Sequence, residues 1–165
     1  MKKSFTLLEV VITVGLFILF ISALMALSSS NTKNITVNKH RLVAANLARE
    51  GMEEVTQIRD TAWLNEESWS NLANPCWGLT GGIRHLEFTN NTASCPSGVG
   101  WHYRLSPGSE PIQKDNVDYT RTIQVGIVET GRIRITVTVS WNDFSPTPNN
   151  KNVTMIKDLT DWKQE

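Results

Sequence analysis

VNKHRLVAANLAREGMEEVTQIRDTA, residues 37–62, arranges its apolar and small side chains in a single stripe. Val37, His40, Arg41, Ala44, Leu47, Ala48, Gly51, Met52, Val55, Ile58 and Ala62 recur at intervals of three and four, the pattern of an amphipathic helix. Lys39, Arg49, Glu53 and Glu54 fall elsewhere around the cylinder. Glu50 and Glu54 are a like-charged pair, so the stripe and not surface pairing must hold this helix. It is too rich in Ala and Gly, and too loose in heptad register, for a coiled coil. A helix of this kind needs a second layer to cover it.

The C-terminal half supplies that layer. Ile123, Val125 and Ile127 alternate with Thr122, Gln124 and Gly126. Ile133, Ile135, Val137, Val139 and Trp141 alternate with Arg134, Thr136, Thr138 and Ser140. Period two with β-branched residues predicts half-buried strands, and Glu129-Thr130-Gly131-Arg132 supplies a hairpin turn between them. A third run, Val153 to Leu159, follows a loop of Pro146, Pro148, Asn149 and Asn150 and is expected to pair as a further antiparallel strand. Upstream, residues 63–118 are broken by turn signals: Asn74-Pro75, Gly81-Gly82, Asn90-Asn91, Pro96-Ser97-Gly98 and Pro107-Gly108. Short strands are expected there at Ile83–Phe88 and Trp101–Leu105. An antiparallel sheet can leave only one face wet, and the helix stripe fits the other. The predicted fold class is α+β, a long N-terminal helix packed on an antiparallel sheet.

Upstream of residue 37 no proline interrupts the helix back to Phe5. Ser28-Ser29-Ser30-Asn31-Thr32 marks a change of solvent. Before it, residues 5–27, FTLLEVVITVGLFILFISALMAL, form an apolar run of membrane length. Val10 to Leu27 is free of charge and spans about 27 Å as a helix, close to the thickness of a bilayer core. Lys2 and Lys3 hold the N-terminus on the cytoplasmic side by the positive-inside bias. Glu9 is out of place in an ordinary anchor. A charge at the centre of a membrane helix costs roughly 2.5–3.5 kcal/mol, and somewhat less near an end. A plain signal anchor would leave it uncompensated. A secretory signal peptide has a shorter apolar core and a small-x-small cleavage site, which the Ser22-Ala23 neighbourhood matches only loosely.

Lys2-Lys3-Ser4-Phe5-Thr6-Leu7-Leu8-Glu9-Val10 resembles the prepilin cleavage and methylation signal of bacterial type IV pilins and type II secretion pseudopilins. Ser4 stands where that family usually has Gly. The resemblance implies cleavage between Ser4 and Phe5 by a prepilin peptidase and N-methylation of Phe5. It also implies an assembly ion pair between Glu9 and the Phe5 ammonium of a neighbouring subunit. On this plan residues 1–4 are a leader, 5–27 the transmembrane half of the helix, 28–62 its amphipathic exposed half, and 63–165 a β-rich extracytoplasmic domain. The strands ending near Trp141 and Trp162 are similar, more weakly, to those of minor pilins and pseudopilins.

Composition narrows the alternatives. Sixteen basic and sixteen acidic residues cancel, so no net field draws in nucleic acid or acidic lipid. No Gly-rich phosphate loop, HExxH or GxSxG occurs, and neither an enzyme activity nor a cofactor is expected. Cys76 and Cys95 fall in the exported part, where an even count favours a disulfide. Because His85 and His102 interleave with them, a zinc site is the sharper alternative, free thiols the other, but the close Cys pair of structural zinc modules is missing. No metal is expected. Asp115, Asn116 and Asp118 suit a turn better than calcium. Trp63, Trp69, Trp77, Trp101, Trp141 and Trp162 suit core packing better than a glycan-stacking face. Asn34-Ile35-Thr36, Asn90-Asn91-Thr92 and Asn152-Val153-Thr154 match the glycosylation triplet by chance.

The expected function is structural: a minor-pilin or pseudopilin subunit of a type IV pilus, competence pseudopilus or type II secretion filament. The expected partners are the prepilin peptidase, other pilins through the N-terminal helix, the membrane assembly platform and cytoplasmic membrane lipid. Nucleic acid enters only through a competence pilus. The expected placement is single-pass in the cytoplasmic membrane, N-terminus inside, then a surface or periplasmic filament. The rival reading is a membrane-tethered binding or adhesion module that forms no filament.

Overall fold

The computed structural model describes residues 6–90, 95, 100, 102–142 and 150–161, with Lys33 in its backbone alone. One helix, α1 (Leu7–Leu64), is followed by a 3-10 turn at Trp69–Ala73. Six strands come next: β1 (Gly82–Thr89), β2 (His102–Pro107), β3 (Glu110–Lys114), β4 (Val117–Glu129), β5 (Arg132–Asn142) and β6 (Asn150–Thr160). The chain divides into two compact units, residues 1–40 and 41–165. The first is the N-terminal part of α1. The second holds the rest of α1 and the sheet.

The sheet is antiparallel throughout, in the order β2-β1-β4-β5-β6. β3 and β1 share one edge of β4, β3 along Val117–Arg121 and β1 along Ile123–Val125. β4 and β5 follow the expected alternation. Val117, Tyr119, Arg121, Ile123 and Val125 are buried from β4, and Ile133, Ile135, Val137, Val139 and Trp141 from β5. In register, Ile123 sits opposite Val137, Val125 opposite Ile135, and Tyr119 opposite Trp141.

Within the second unit the stripe of α1 covers this face. Ala44, Leu47, Ala48, Met52, Val55, Ile58 and Ala62 are buried in the same core as the β4 and β5 side chains. Full burial of an aliphatic side chain such as Val55 or Ile58 contributes about 1.5–3 kcal/mol. Gly51 permits the close approach: a Cβ there would lie 3.1 Å from Arg121 Cδ and 3.4 Å from Val137 Cγ1. Arg41, read as part of the stripe, is exposed instead. So is Ile127, at 78%. It has the parity of the buried face but lies beyond its covered part, next to an irregularity in the β4–β5 ladder.

The middle region holds more structure than its turn signals suggest. β3 was not foreseen, and β4 begins at Val117, several residues before the alternation becomes clean. Asp115 and Asn116, at φ 52° and 61°, form the two-residue connection between β3 and β4. Two consecutive left-handed residues match a type I′ hairpin turn, which favours Asn and Asp. Asp118 accepts a hydrogen bond from Gln113 across that hairpin at 3.1 Å.

Candidate functional site

Thr6 stands at the N-cap of α1. The Glu9 amide donates to the Thr6 carbonyl at 3.0 Å and, less closely, to Thr6 Oγ1 at 3.4 Å. Thr6-Leu7-Leu8-Glu9 has the spacing of a capping box, and the macrodipole favours an anion in a helix's first turn. This cap by Thr6 was missed in the sequence, although the T-x-x-E spacing carries it. Ser4 and Phe5, the expected cleavage site, lie outside the described residues.

From Leu7 to Leu27 every side chain of α1 is exposed. Leu7 is 83% exposed, Phe17 64% and Leu27 64%. Among the described residues α1 alone is long and apolar enough to cross a membrane. Its few hydroxyls are already satisfied. Thr13 Oγ1 donates to the Glu9 carbonyl at 2.9 Å, and Ser22 Oγ to that of Ile18 at 2.8 Å. Such back-bonding leaves no polar hydrogen for hydrocarbon to strand.

A second constellation lies in the globular unit. Cys76 and Cys95 are joined by a disulfide with Cα atoms 5.0 Å apart. Cys76 is buried beside Trp77, whose ring meets His102 edge-on with centroids 5.5 Å apart. His102 Nε2 lies 3.6 Å from each sulfur, and Nδ1 lies 2.8 Å from the Gly100 carbonyl. The Leu105 amide donates to the Trp77 carbonyl at 3.0 Å, tying this loop to β2. Gly78 makes the contact possible, because a Cβ there would stand 2.0 Å from the Leu105 carbonyl oxygen. His85 is not part of this group; it sits on β1 opposite Ser106.

A third feature was not anticipated. Arg121, 3% exposed, carries a charge into the buried face of β4. It donates to Glu110 and to the Leu47 carbonyl, and lies 3.4 Å from Glu54. Burial pushes the Glu54 carboxyl above the usual carboxylate range, although the Arg121 charge pulls it down. The signal was present in the sequence, since Arg121 is in phase with Ile123 and Val125. On the outer face, hydrogen bonds from Arg134 and Arg132 hold Asp158 well below the usual range.

Of the six Trp residues, Trp77 and Trp141 are buried and Trp63 and Trp69 half-buried, while Trp101 and Trp162 lie outside the described residues. Trp63 and Trp69 line a cavity of about 340 Å³ with Arg59, Glu66, Glu67 and Asp161. Comparison with protein-family models, curated proteins and solved structures finds no match to this chain.

Proposed function

We propose that the protein is a structural subunit of the pilin or pseudopilin kind, of minor type, held in the cytoplasmic membrane by residues 5–27 and assembled through that helix into a filament. One observation supports this reading most. An apolar helix surface exposed all round, from Leu7 to Leu27, carries a single carboxylate in its first turn. So large an uncovered apolar surface requires lipid or protein around it, and the charge of Glu9 requires more than lipid. In this reading lipid covers the helix before assembly and neighbouring helices cover it afterwards. The Phe5 ammonium of one neighbour meets Glu9. Lys2 and Lys3 keep the N-terminus inside, so the globular unit lies outside the cytoplasm.

The test is photo-crosslinking from Leu16 and Phe20 in cells. A subunit of a filament gives a regular ladder with pilin-type proteins, whereas a solitary anchor gives none. A second reading, the tethered binding module, is favoured by the cavity between Trp63 and Trp69, whose indoles and carboxylates suit a small polar ligand. The absence of a ladder would select it.

A further inference from the structure

The disulfide centre holds one more side chain than a disulfide needs. We propose that Cys76, Cys95 and His102 bind a zinc ion when the disulfide is reduced, so that the same three residues alternate between a covalent cross-link and a metal cross-link.

The three candidate ligand atoms, two Sγ and one ring nitrogen, all lie within 4.8 Å of one another. His102 Nε2 stands 3.6 Å from both sulfurs. With Zn–S near 2.3 Å and Zn–N near 2.0–2.1 Å, a tetrahedral site places nitrogen and sulfur about 3.6 Å apart. The histidine therefore already stands at ligand distance from both cysteines, and only the sulfurs must part. The tautomer with its proton on Nδ1 satisfies the shorter of the ring's two carbonyl contacts, 2.8 Å to the Gly100 oxygen. That leaves the Nε2 lone pair facing the sulfurs; the Cys76 carbonyl, 3.2 Å from Nε2, is the more distant of the two oxygens. A backbone carbonyl on the far ring nitrogen is the usual orienting partner of a zinc-bound histidine. Cys76 and His102 are buried, at 1% and 5% exposed, while the half-buried Cys95 leaves a side of the site open to metal and water.

The chemistry balances with a dithiol as reductant. Its two sulfurs close into a cyclic disulfide as the Cys76–Cys95 bond takes up two electrons and two protons. Zinc then displaces both thiol protons, and water takes the fourth position. The loop between Cys76 and Cys95 stays closed in either state.

The test uses the full-length chain in detergent. It is reduced with a trialkylphosphine, which leaves as its oxide and does not compete as a thiol, and is then titrated with Zn²⁺ or with Co²⁺ as a spectroscopic reporter. The expected result is one metal per reduced chain with thiolate-to-cobalt charge transfer, and none per oxidised chain. His102→Ala is expected to weaken binding at least about tenfold, and His85→Ala to leave it unchanged. Near-UV circular dichroism, sensitive to Trp77, follows the fold. If reduction loosens the domain, zinc is expected to restore the signal. No uptake by the reduced chain, full affinity in His102→Ala, lost affinity in His85→Ala, or a reduced fold that zinc does not restore would each overturn the proposal.

Discussion

Arg121 and Glu110 are joined across the β3–β4 pair by two hydrogen bonds to one carboxylate oxygen, from Nε at 3.0 Å and from Nη2 at 2.7 Å. The same guanidinium reaches the Leu47 carbonyl on α1 at 3.2 Å and Glu54 at 3.4 Å. One buried cation thus ties β3, β4 and the helix together. Glu110→Gln is expected to cost about 1.5–3 kcal/mol, the range for a hydrogen bond to a charged group. Adding Glu54→Gln leaves Arg121 without an anion. The double variant is expected to lose about 3–5 kcal/mol and more than the sum of the single changes. Urea unfolding of all four proteins checks this, and simple additivity would contradict the shared role of Arg121.

Glu54→Gln alone has a sign that depends on pH. The carboxyl is raised in the folded chain, so the folded state binds the proton more tightly than the unfolded state. Its favourable contribution is complete below the unfolded pKa and fades as pH rises through the folded one. The variant is therefore expected to match wild type in acid and to melt higher near neutrality. Thermal melts across that interval decide it; a variant that falls behind as pH rises would show the carboxylate to be net favourable.

Val55→Asp or Ile58→Asp places an uncompensated carboxylate between α1 and the sheet, where both side chains are at most 1% exposed. The expected loss is several kcal/mol, seen as a vanished cooperative transition. Arg49→Ala is the comparison, since its pair with Glu53 is exposed on both sides and is expected to change stability by less than about 1 kcal/mol.

Cys76→Ser removes a cross-link spanning 19 residues. Loss of its constraint on the unfolded chain is expected to cost about 3 kcal/mol. Thiol trapping without reductant is expected to label neither cysteine. Full labelling of both under native conditions would show the disulfide to be absent from the native protein.

Beyond its place in the first turn of α1, the proposed function gives Glu9 an intermolecular charge. Glu9→Gln keeps a capping-box side chain at N3 and removes the charge, whereas Glu9→Leu removes both. Both variants are expected to insert at least as well as wild type, and both to enter filaments poorly, because a neighbour's ammonium is left buried at a cost of about 3–5 kcal/mol. Normal incorporation of Glu9→Gln into sheared filaments would remove the proposed pairing. Mass spectrometry of the mature chain tests the premise: an N-terminus other than Phe5 excludes the pair.

The layers of this fold were legible because each follows a single period. The stripe from Ala44 to Ala62 repeats at the helical spacing and the run from Ile133 to Trp141 at the strand spacing, so their burial could be read directly. Pairing of Cys76 with Cys95 was the favoured reading of the cysteine count, and the structure has that bond. What escaped was whatever depends on contacts distant in sequence. β3 is short, its pattern is mostly exposed, and it exists because β4 offers an edge. Arg121 is in phase with Ile123, but its counter-charges Glu110 and Glu54 come from β3 and α1 and are not paired with it by any local pattern. The place of His102 beside the cysteines depends on the loop from Trp77 meeting β2, which no local pattern announces.

The position of β5 and β6 so long after the helix they cover has a consequence for biogenesis. β5 contributes five buried side chains, Ile133 through Trp141, and pairs with β6 along its whole length and with β4 from Arg132 to Trp141. These strands are made well after the helix whose stripe they bury. Contacts between segments so far apart in sequence form late and slowly, and uncovered apolar surface in the interval invites aggregation. A nascent chain that has reached only residue 130 carries the stripe from Ala44 to Ala62 without its main cover. Until Trp141 has been made, that stripe is without the strand that buries it.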